Sequence, residues 1–291
     1  TALAAAKADC LPVLALTAQV ATNVFGKGSL QDSTCAGADT VAALAPATKL
    51  SVMLAHPANF AATLRQAIRT AMTGRRGPVH LNIPTDPMRR EVPAEVLWPS
   101  QYRPLSRCFD REAVKEAALL LLSARSPAIL AGHGVNMGAA APELRELAEL
   151  LSIPVATTPK GKGAFCEDHP LALRVFGMAG SPLAEAYLLS GGVDVLFVIA
   201  SSLHENSTSG WDPALKPRRA LLQLDVDASV IGRNYPVALF KRQAVYYLPG
   251  LRMLIIERLN NLTNRQGVFL RKLPISLIMP RHAHDRASAV M

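Results

Sequence analysis

The 291-residue sequence has few cysteines, and they are not arranged as a disulfide framework or a zinc site. The four cysteines are scattered and include no Cys-x-x-Cys pair, the spacing that often marks such sites. The sequence also lacks a run of about 18 apolar residues, and no basic segment precedes an apolar one at its start. We therefore expect a soluble protein of a reducing cytoplasm, with no membrane span and no signal peptide.

Aromatic residues are scarce, at 5% of the chain, although the sequence is basic. There are 31 Lys and Arg residues against 22 Asp and Glu, which gives a formal net charge of +9. Proteins that bind single-stranded nucleic acid combine a basic groove with aromatic platforms on which bases stack. Here the basic residues occur as pairs in predicted turns, such as Arg75 and Arg76. We expect a solvated basic surface and no nucleic-acid partner.

Local signatures of nucleophilic and zinc-dependent hydrolysis are also missing. The sequence contains no Gly-x-Ser-x-Gly, no His-Glu-x-x-His and no recognisable Cys–His signature, the motifs that mark these chemistries. His282 and His284 form a His-x-His pair without a third ligand nearby, so we interpret them as part of an irregular terminal segment.

The sequence does contain enough apolar residues, 50% of the chain, to bury a large core, and its length favours two domains. Short apolar runs alternate with helical patterns, which predicts an α/β fold in which the second domain is a doubly wound parallel sheet. We divide the chain into a first domain over 1–87, a linker over 88–107, a Rossmann-like central domain over 108–262 and an irregular basic tail over 263–291.

Individual elements are predicted from the period of apolar residues. In the first domain, an apolar run at 11–17 indicates a buried strand, and segment 57–73 has an apolar residue at every fourth position, as a helix would. Segment 78–84 alternates apolar and polar side chains, which predicts a strand with one drier face. In the second domain, strands are predicted at 128–132, 154–158, 193–200 and 220–226.

Several of these strands are followed by loops suited to an anionic ligand. The loop at 132–138 has three glycines but not the spacing of a dinucleotide-binding motif, so a tight turn remains an alternative. The segment at 157–165 places Lys160 among small residues that allow close approach of a phosphate. Asp225 follows a later strand and is suited either to ribose hydroxyls or to capping a helix.

Read together, these motifs resemble a known family. In the first domain the resemblance lies in PVLALTAQVATNVFGKGSLQDS, ATKL and GRRGPVHLNIPTDP. In the second it lies in PAILAGHGV, PVATTPKGKGAFCEDHP, a GMAG loop, WDPALKP and LLQLDVDASVIGRNYPV. Their order and spacing resemble thiamine-diphosphate-dependent enzymes of the acetolactate synthase large-subunit type. The matching part is the second half of the pyrimidine-binding domain and the central domain, over residues 1 to about 262.

The resemblance implies cofactors, a substrate class and site residues. Gln31, in the Leu-Gln-Asp that stands where the family has Phe-Gln-Glu, is implied to lie near thiamine diphosphate and a 2-keto acid substrate such as pyruvate. Gln19 matches the glutamine of the family's Gly-Gln-Val, although Ala18 replaces the glycine. The residues that match the FAD site of flavin-containing members are Gly132, Gly134, Thr158, Lys160, Gly161, Gly177, Gly180 and Asp225.

Two departures from the family pattern limit what the resemblance implies. Segment 201–211 replaces an Arg-Phe-Asp-Asp-Arg segment of acetolactate synthases, which argues against FAD and against acetolactate synthesis in particular, and favours a related decarboxylase, lyase or transferase. The sequence contains neither the family's early activating glutamate nor the Gly-Asp-Gly…Asn motif that holds the diphosphate and Mg²⁺. Both are needed to activate and anchor the cofactor. We therefore expect that the chain alone does not turn over substrate.

Two functions remain open from the sequence. The first is part of a thiamine-diphosphate-dependent enzyme that decarboxylates a 2-keto acid and forms a new carbon–carbon bond. The second is a non-catalytic nucleotide-binding or assembly module that has kept only a working central domain. An NAD-dependent dehydrogenase is disfavoured by the glycine spacing. Because the partial first domain would expose a sheet edge and apolar surface, we also expect a homo-oligomer.

Overall fold

The computed structural model of the chain describes residues 1–92, 98–102 and 111–240. The chain divides into two compact units, one ending at Ser106 and the other beginning at Arg107. The predicted tail at 263–291 and much of the predicted linker lie outside the described residues. In the described part of the chain, no helix is both long and apolar enough to cross a bilayer. The helices of these residues are α1 (Ala2–Ala8), α2 (Thr40–Leu44), α3 (Phe60–Met72), α4 (Thr85–Met88), α5 (Pro99–Tyr102), α6 (Arg111–Leu122), α7 (His133–Met137), α8 (Ala141–Leu151) and α9 (Pro182–Leu188).

The first unit is built on a three-stranded parallel sheet. Its strands are β1 (Leu14–Gln19), β2 (Ser51–Met53) and β3 (Val79–Pro84), and they lie in the order β1-β3-β2. The last strand in sequence is therefore the central one, and β1 and β2 each pair with it. The predicted strand at 11–17 lies slightly further along the chain in the structure, and the prediction that it is buried was wrong, because Leu14 and Leu16 are exposed. The strand β2 was not predicted.

Helix α3 covers the face of the sheet that carries Leu81 and its apolar neighbours on β3. Its most buried residues are Ala67 and Ala71, and Phe60 and Leu64 pack beside them. The predicted helix is confirmed, and Met72, another of its periodic apolar residues, also packs against this core. With about 3.6 residues per turn, a helix presents positions i, i+4, i+7 and i+11 to one face, and small residues there let the helix approach the sheet closely.

The opposite face of β3 is also buried, which corrects the prediction of one drier face. His80 and Asn82 are both 0% exposed. The two ring nitrogens of His80 lie 2.8 Å from the hydroxyl oxygens of Thr17 and Ser51, and the Asn82 amide nitrogen donates to Thr17 over 2.9 Å. Burying polar groups is costly unless they are hydrogen-bonded, and these bonds offset much of that cost. The polar residues His80 and Asn82 on this face of β3 are therefore buried and hydrogen-bonded to side chains of β1 and β2.

The second unit is a six-stranded parallel sheet with helices on both faces. Its strands lie in the order β6-β5-β4-β7-β8-β9, so the chain winds outward from β4 to one edge and then from β7 to the other. This is the strand order of a doubly wound, Rossmann-like fold, and it confirms the predicted fold class. The strands are β4 (Pro127–Ala131), β5 (Val155–Thr157), β6 (Ala172–Val175), β7 (Val195–Ile199), β8 (Ala220–Leu224) and β9 (Leu239–Phe240).

Alternate residues of the central strands enter two separate hydrophobic clusters. In β4, Ile129 belongs to the cluster that includes Leu144 and Leu147 of α8, whereas Leu130 belongs to the cluster that includes Leu188 of α9. All five residues of β7 are buried, as expected for the centre of a parallel sheet. Full burial of each such leucine or isoleucine contributes about 1.5–3 kcal/mol to folding, so the sheet is stabilised from both sides.

Candidate functional site

The first group of candidate residues lies at the carboxyl end of the three-stranded sheet. Gln19 is the last residue of β1 and is only 3% exposed. Gln31 lies in the following loop, is exposed, and has a φ of +64°. A left-handed backbone is uncommon for a residue other than glycine, so the surrounding loop has to hold Gln31 in place.

The side chain of Gln19 connects the end of β1 to this loop. Its amide oxygen accepts hydrogen bonds from the backbone N–H of Val20, over 2.8 Å, and of Ser33, over 3.0 Å. Its amide nitrogen is buried and has no hydrogen-bond partner in the part of the chain that the structure describes. One end of the amide group is therefore engaged by the protein, and the other is a spare donor.

A second spare polar atom lies on the same face of the sheet. Thr17 pairs with Asn82 across β1 and β3, and Gln19, two positions after Thr17, projects to the same side because side chains alternate along a strand. The amide oxygen of Asn82 is buried and, like the Gln19 nitrogen, has no partner among the described residues. Buried polar atoms are rarely left without a partner, so this face is suited to a polar ligand or an ordered water.

Asp86 fixes the beginning of the same loop, and the sequence analysis missed it. Its carboxylate accepts hydrogen bonds from the backbone N–H of Thr22, over 2.9 Å, and from the Thr22 hydroxyl, over 2.5 Å. The hydroxyl bond is the main cause of the lowered pKa of Asp86. The signal available in the sequence was an acidic residue immediately after a strand, in the Thr-Asp-Pro that follows β3.

The glycines predicted to line a cofactor site in the second unit lie where backbone segments pass close to one another. A Cβ atom on Gly132 would overlap the carbonyl oxygen of Ala200, and one on Gly134 would lie 2.6 Å from the Ala200 Cβ. Added Cβ atoms on Gly161 and Gly177 would overlap the carbonyl oxygens of Ala131 and Asn206. At three of these four positions a side chain would overlap a backbone carbonyl, and at Gly134 it would overlap the Ala200 side chain.

The backbone N–H groups of the first glycine loop are already engaged. Gly132 donates to the carbonyl of Ile199 over 2.8 Å, Gly134 donates to Ala200 over 3.2 Å, and Val135 donates to Gly132 over 3.2 Å. These are the groups that would have met an anion at the start of α7. The geometry favours the tight turn that the sequence left open.

The remaining candidates lie at the carboxyl end of the same sheet. The Thr158 hydroxyl accepts from the backbone N–H of Gly161 over 3.1 Å, and the Lys160 carbonyl lies 3.0 Å from a ring nitrogen of His133. Asp225 follows β8, and its carboxylate accepts from the N–H of Asp227 over 2.9 Å. The described residues contain no group of three or more His, Cys, Asp and Glu side chains placed to hold a metal ion.

Comparison with known proteins decides the family. The family model described as "Thiamine pyrophosphate enzyme, central domain" matches residues 114–244. A "Probable acetolactate synthase large subunit" of Methanocaldococcus jannaschii is 37% identical over 241 residues, which is 80% of this chain. The chain belongs to the thiamine pyrophosphate enzyme family. An "Acetolactate synthase" of Arthrospira platensis is also similar to this chain, with 30% identity over 300 residues and 99% of the chain.

The chain spans only part of the length of these relatives. It covers 39% of the M. jannaschii protein and 50% of the A. platensis protein. A solved structure, the benzoylformate decarboxylase of Polynucleobacter necessarius, has a TM-score of 0.69 and 22% identity to it. That match covers 87% of this chain and 46% of the decarboxylase. At this identity the likeness shows a shared fold, which agrees with the two parallel sheets described above.

Proposed function

We propose that this chain forms part of an acetolactate-synthase-like enzyme that acts on a 2-keto acid with thiamine diphosphate and Mg²⁺. The observation that carries the proposal is the 37% identity to a "Probable acetolactate synthase large subunit" over 241 residues. A match of this length takes in sequence from both units. When bound, thiamine diphosphate supplies the nucleophile that attacks the keto carbon and the electron sink for decarboxylation.

The first unit contributes polar groups suited to the ring end of such a cofactor and to its substrate. The buried Gln19 nitrogen is a donor without a protein partner in the described residues, and Gln31 is exposed in the loop beside it. A donor held in place before the ligand arrives orients that ligand at a lower cost in entropy. We propose that Gln31 helps to position the substrate.

The proposed function does not include a bound flavin. The backbone N–H groups of Gly132 and Gly134 donate to β7 and the residue after it, so they are not free to bind a diphosphate. Among the other residues matched to the flavin site, Thr158 and Asp225 accept hydrogen bonds from nearby backbone N–H groups. These interactions support a structural role for this end of the second sheet.

Calorimetric titration with thiamine diphosphate and Mg²⁺ tests the proposed function. The sequence lacks the family's diphosphate and Mg²⁺ motif, so we expect weak but saturable binding through the ring end of the cofactor. Gln31→Asn, which shortens the side chain but tolerates a left-handed backbone, should weaken this binding at least fivefold. The matched control is Gln66→Asn, on an exposed position of α3, which should bind like the wild type. Absence of binding to the wild type, or equal loss in both variants, would count against the proposed site.

A pyruvate-dependent CO₂ assay on the same sample tests activity separately. The expectation that these 291 residues alone do not turn over a 2-keto acid stays a prediction, since the chain covers less than half of the M. jannaschii relative. Turnover would overturn that expectation and still support the proposed enzyme class.

The expected homo-oligomer is likewise a proposal, supported by the exposed leucines Leu14 and Leu16 on β1.

A further inference from the structure

The loop between β1 and α2 is long, and its anchors to the sheet are few. It extends from Val20 to Asp39 and contains one short 3-10 turn at Thr22–Val24. Loops of this length without regular structure are uncommon in compact domains and are often functional. Their conformation depends on the particular hydrogen bonds that hold them.

Most of the hydrogen bonds around Gln31 stay inside the loop. Asp32 accepts from the backbone N–H of Thr34 over 2.9 Å and from that of Gly26 over 3.4 Å. The Asp32 N–H donates to the carbonyl of Ser29 over 3.2 Å. These bonds shape the turn, but they do not fix its position relative to the sheet.

The side chain of Gln19, at the end of β1, forms a hydrogen bond to the loop close to Gln31. The amide oxygen of Gln19 accepts from the Ser33 N–H over 3.0 Å, two residues after Gln31, and from Val20 over 2.8 Å. We propose that Gln19 is a positioning residue whose amide oxygen holds the loop on the end of β1 and thereby sets the position of Gln31. The importance of that position rests on the function proposed above.

Two replacements of Gln19 separate this role from general stability. The amide nitrogen of Gln19 makes no hydrogen bond within the described residues, so Gln19→Glu keeps every hydrogen bond that the structure gives the side chain. A glutamate accepts hydrogen bonds in both its ionised and its protonated form. Gln19→Leu fills a similar volume but removes the acceptor. If the hydrogen-bond acceptor holds the loop, Gln19→Glu should behave like the wild type and Gln19→Leu should not.

The other unit offers a matched control. Gln223 is also buried, at 5% exposure, and its amide oxygen accepts from the backbone N–H of Gly232 over 3.0 Å. Gln223→Leu removes this acceptor from a different loop, together with the hydrogen bonds that the amide nitrogen donates to the carbonyls of Ser201 and Val230, so it is a more severe loss than Gln19→Leu. It therefore reports how much exchange at Ser33 responds to any loss of a buried glutamine.

Amide hydrogen exchange on the unliganded protein measures the anchor directly. We expect the Ser33 N–H to exchange at least tenfold faster in Gln19→Leu than in the wild type, with Gln19→Glu and Gln223→Leu within threefold of the wild type. Equal exchange in Gln19→Leu and the wild type would overturn the proposal, as would equally fast exchange in Gln19→Leu and Gln19→Glu. If Gln19→Leu does not fold, exchange of Ser33 in the wild type at the rate of an unprotected peptide would overturn it instead.

Ligand titration then links the anchor to the site. Thiamine diphosphate with Mg²⁺ and pyruvate should bind Gln19→Leu at least fivefold more weakly than Gln19→Glu. The hydrogen-exchange result needs no ligand, so failure of the proposed function, seen as no binding to the wild type, is distinguishable from failure of the anchor. Normal binding to Gln19→Leu would show that the anchor does not position the site.

Discussion

Buried polar side chains of the first unit have two different patterns of hydrogen bonding. Both ring nitrogens of His80 have hydroxyl partners, on Thr17 and Ser51. Gln19 and Asn82 each keep one buried atom without a partner among the described residues. Satisfied groups specify a fold, whereas a spare donor or acceptor is placed to meet a ligand or an ordered water. His80 is therefore structural, and Gln19 and Asn82 are the residues to examine in a liganded state.

Protonation of His80 should destabilise the first unit. Burial lowers its pKa below the ordinary value of 6.5, so the unfolded chain takes up the proton first as the pH falls. The stability that depends on neutral His80 is fully present above about pH 6.5 and is lost progressively as the pH falls from there through the folded-state pKa. Hydrogen exchange of β3 amides between pH 7.5 and 5, after correction for intrinsic rates, should show this loss. In His80→Gln the protection of β3 amides should depend less on pH than in the wild type. Equal pH dependence in the two proteins would contradict the assignment of this loss to His80.

Adding one methyl group at Gly132 should destabilise the second unit. The new Cβ would overlap the Ala200 carbonyl and lie 2.6 Å from the Ser201 Cβ, so one of the two backbones has to move. We expect Gly132→Ala to lower the free energy of unfolding by about 1–3 kcal/mol. Gly192→Ala is the control, because its Cβ meets only the Ser190 hydroxyl, at 3.1 Å. Chemical denaturation of both variants checks the difference, and equal stabilities would refute the packing role.

The site residues differ in how far the sequence could reveal them. Gln19 and Gln31 were found because their motifs resemble those of a family, but the bond from Ser33 to Gln19 joins residues 14 apart in sequence and depends on the path of the loop. The hydrogen bond from Thr22 to Asp86 joins residues 64 apart in sequence. Apolar periodicity reports burial and not such partnerships, so only the structure could show them.

At the scale of elements, the strongest apolar patterns gave correct predictions. The predicted strands at 193–200 and 220–226 correspond to β7 and β8. The strand β2 has only three residues, too few to form a recognisable pattern. The alternation in β3 was read correctly as a strand, but its polar face is buried by partners that come from other elements. Burial of a polar residue is a tertiary property that its own segment does not encode.

The apolar face of β1 should drive self-association. Leu16 is 59% exposed and Leu14 is 39% exposed on a strand at the edge of its sheet. An exposed apolar edge strand favours pairing with another chain. We expect Leu16→Lys to shift the protein towards the monomer in light scattering coupled to size-exclusion chromatography. Leu119→Lys, at a 41% exposed position of α6, is the control and should leave the oligomeric state unchanged. A wild-type monomer at all concentrations would contradict the prediction.

At the scale of the whole molecule, the two units have separate hydrophobic cores. The cluster around Leu81 shares no residue with the two clusters of the second sheet. Leu81→Ala should therefore cost about 2–5 kcal/mol in the first unit, seen as faster exchange of β3 amides, while β7 amides keep their protection. Leu130→Ala, at a residue with 0% exposure in the second unit, should have the reverse effect. Equal loss of protection in both sheets after either substitution would show that the cores unfold together.

The strand order of the first unit has a consequence for synthesis on the ribosome. Both outer strands pair with β3, which comes last, and the bond between Thr17 and Asn82 joins residues 65 apart in sequence. At about 5–20 residues per second, β1 leaves the ribosome several seconds before its partner exists. Throughout that interval β1 cannot pair with β3, so we expect chaperones to bind the nascent chain until residue 84 has emerged.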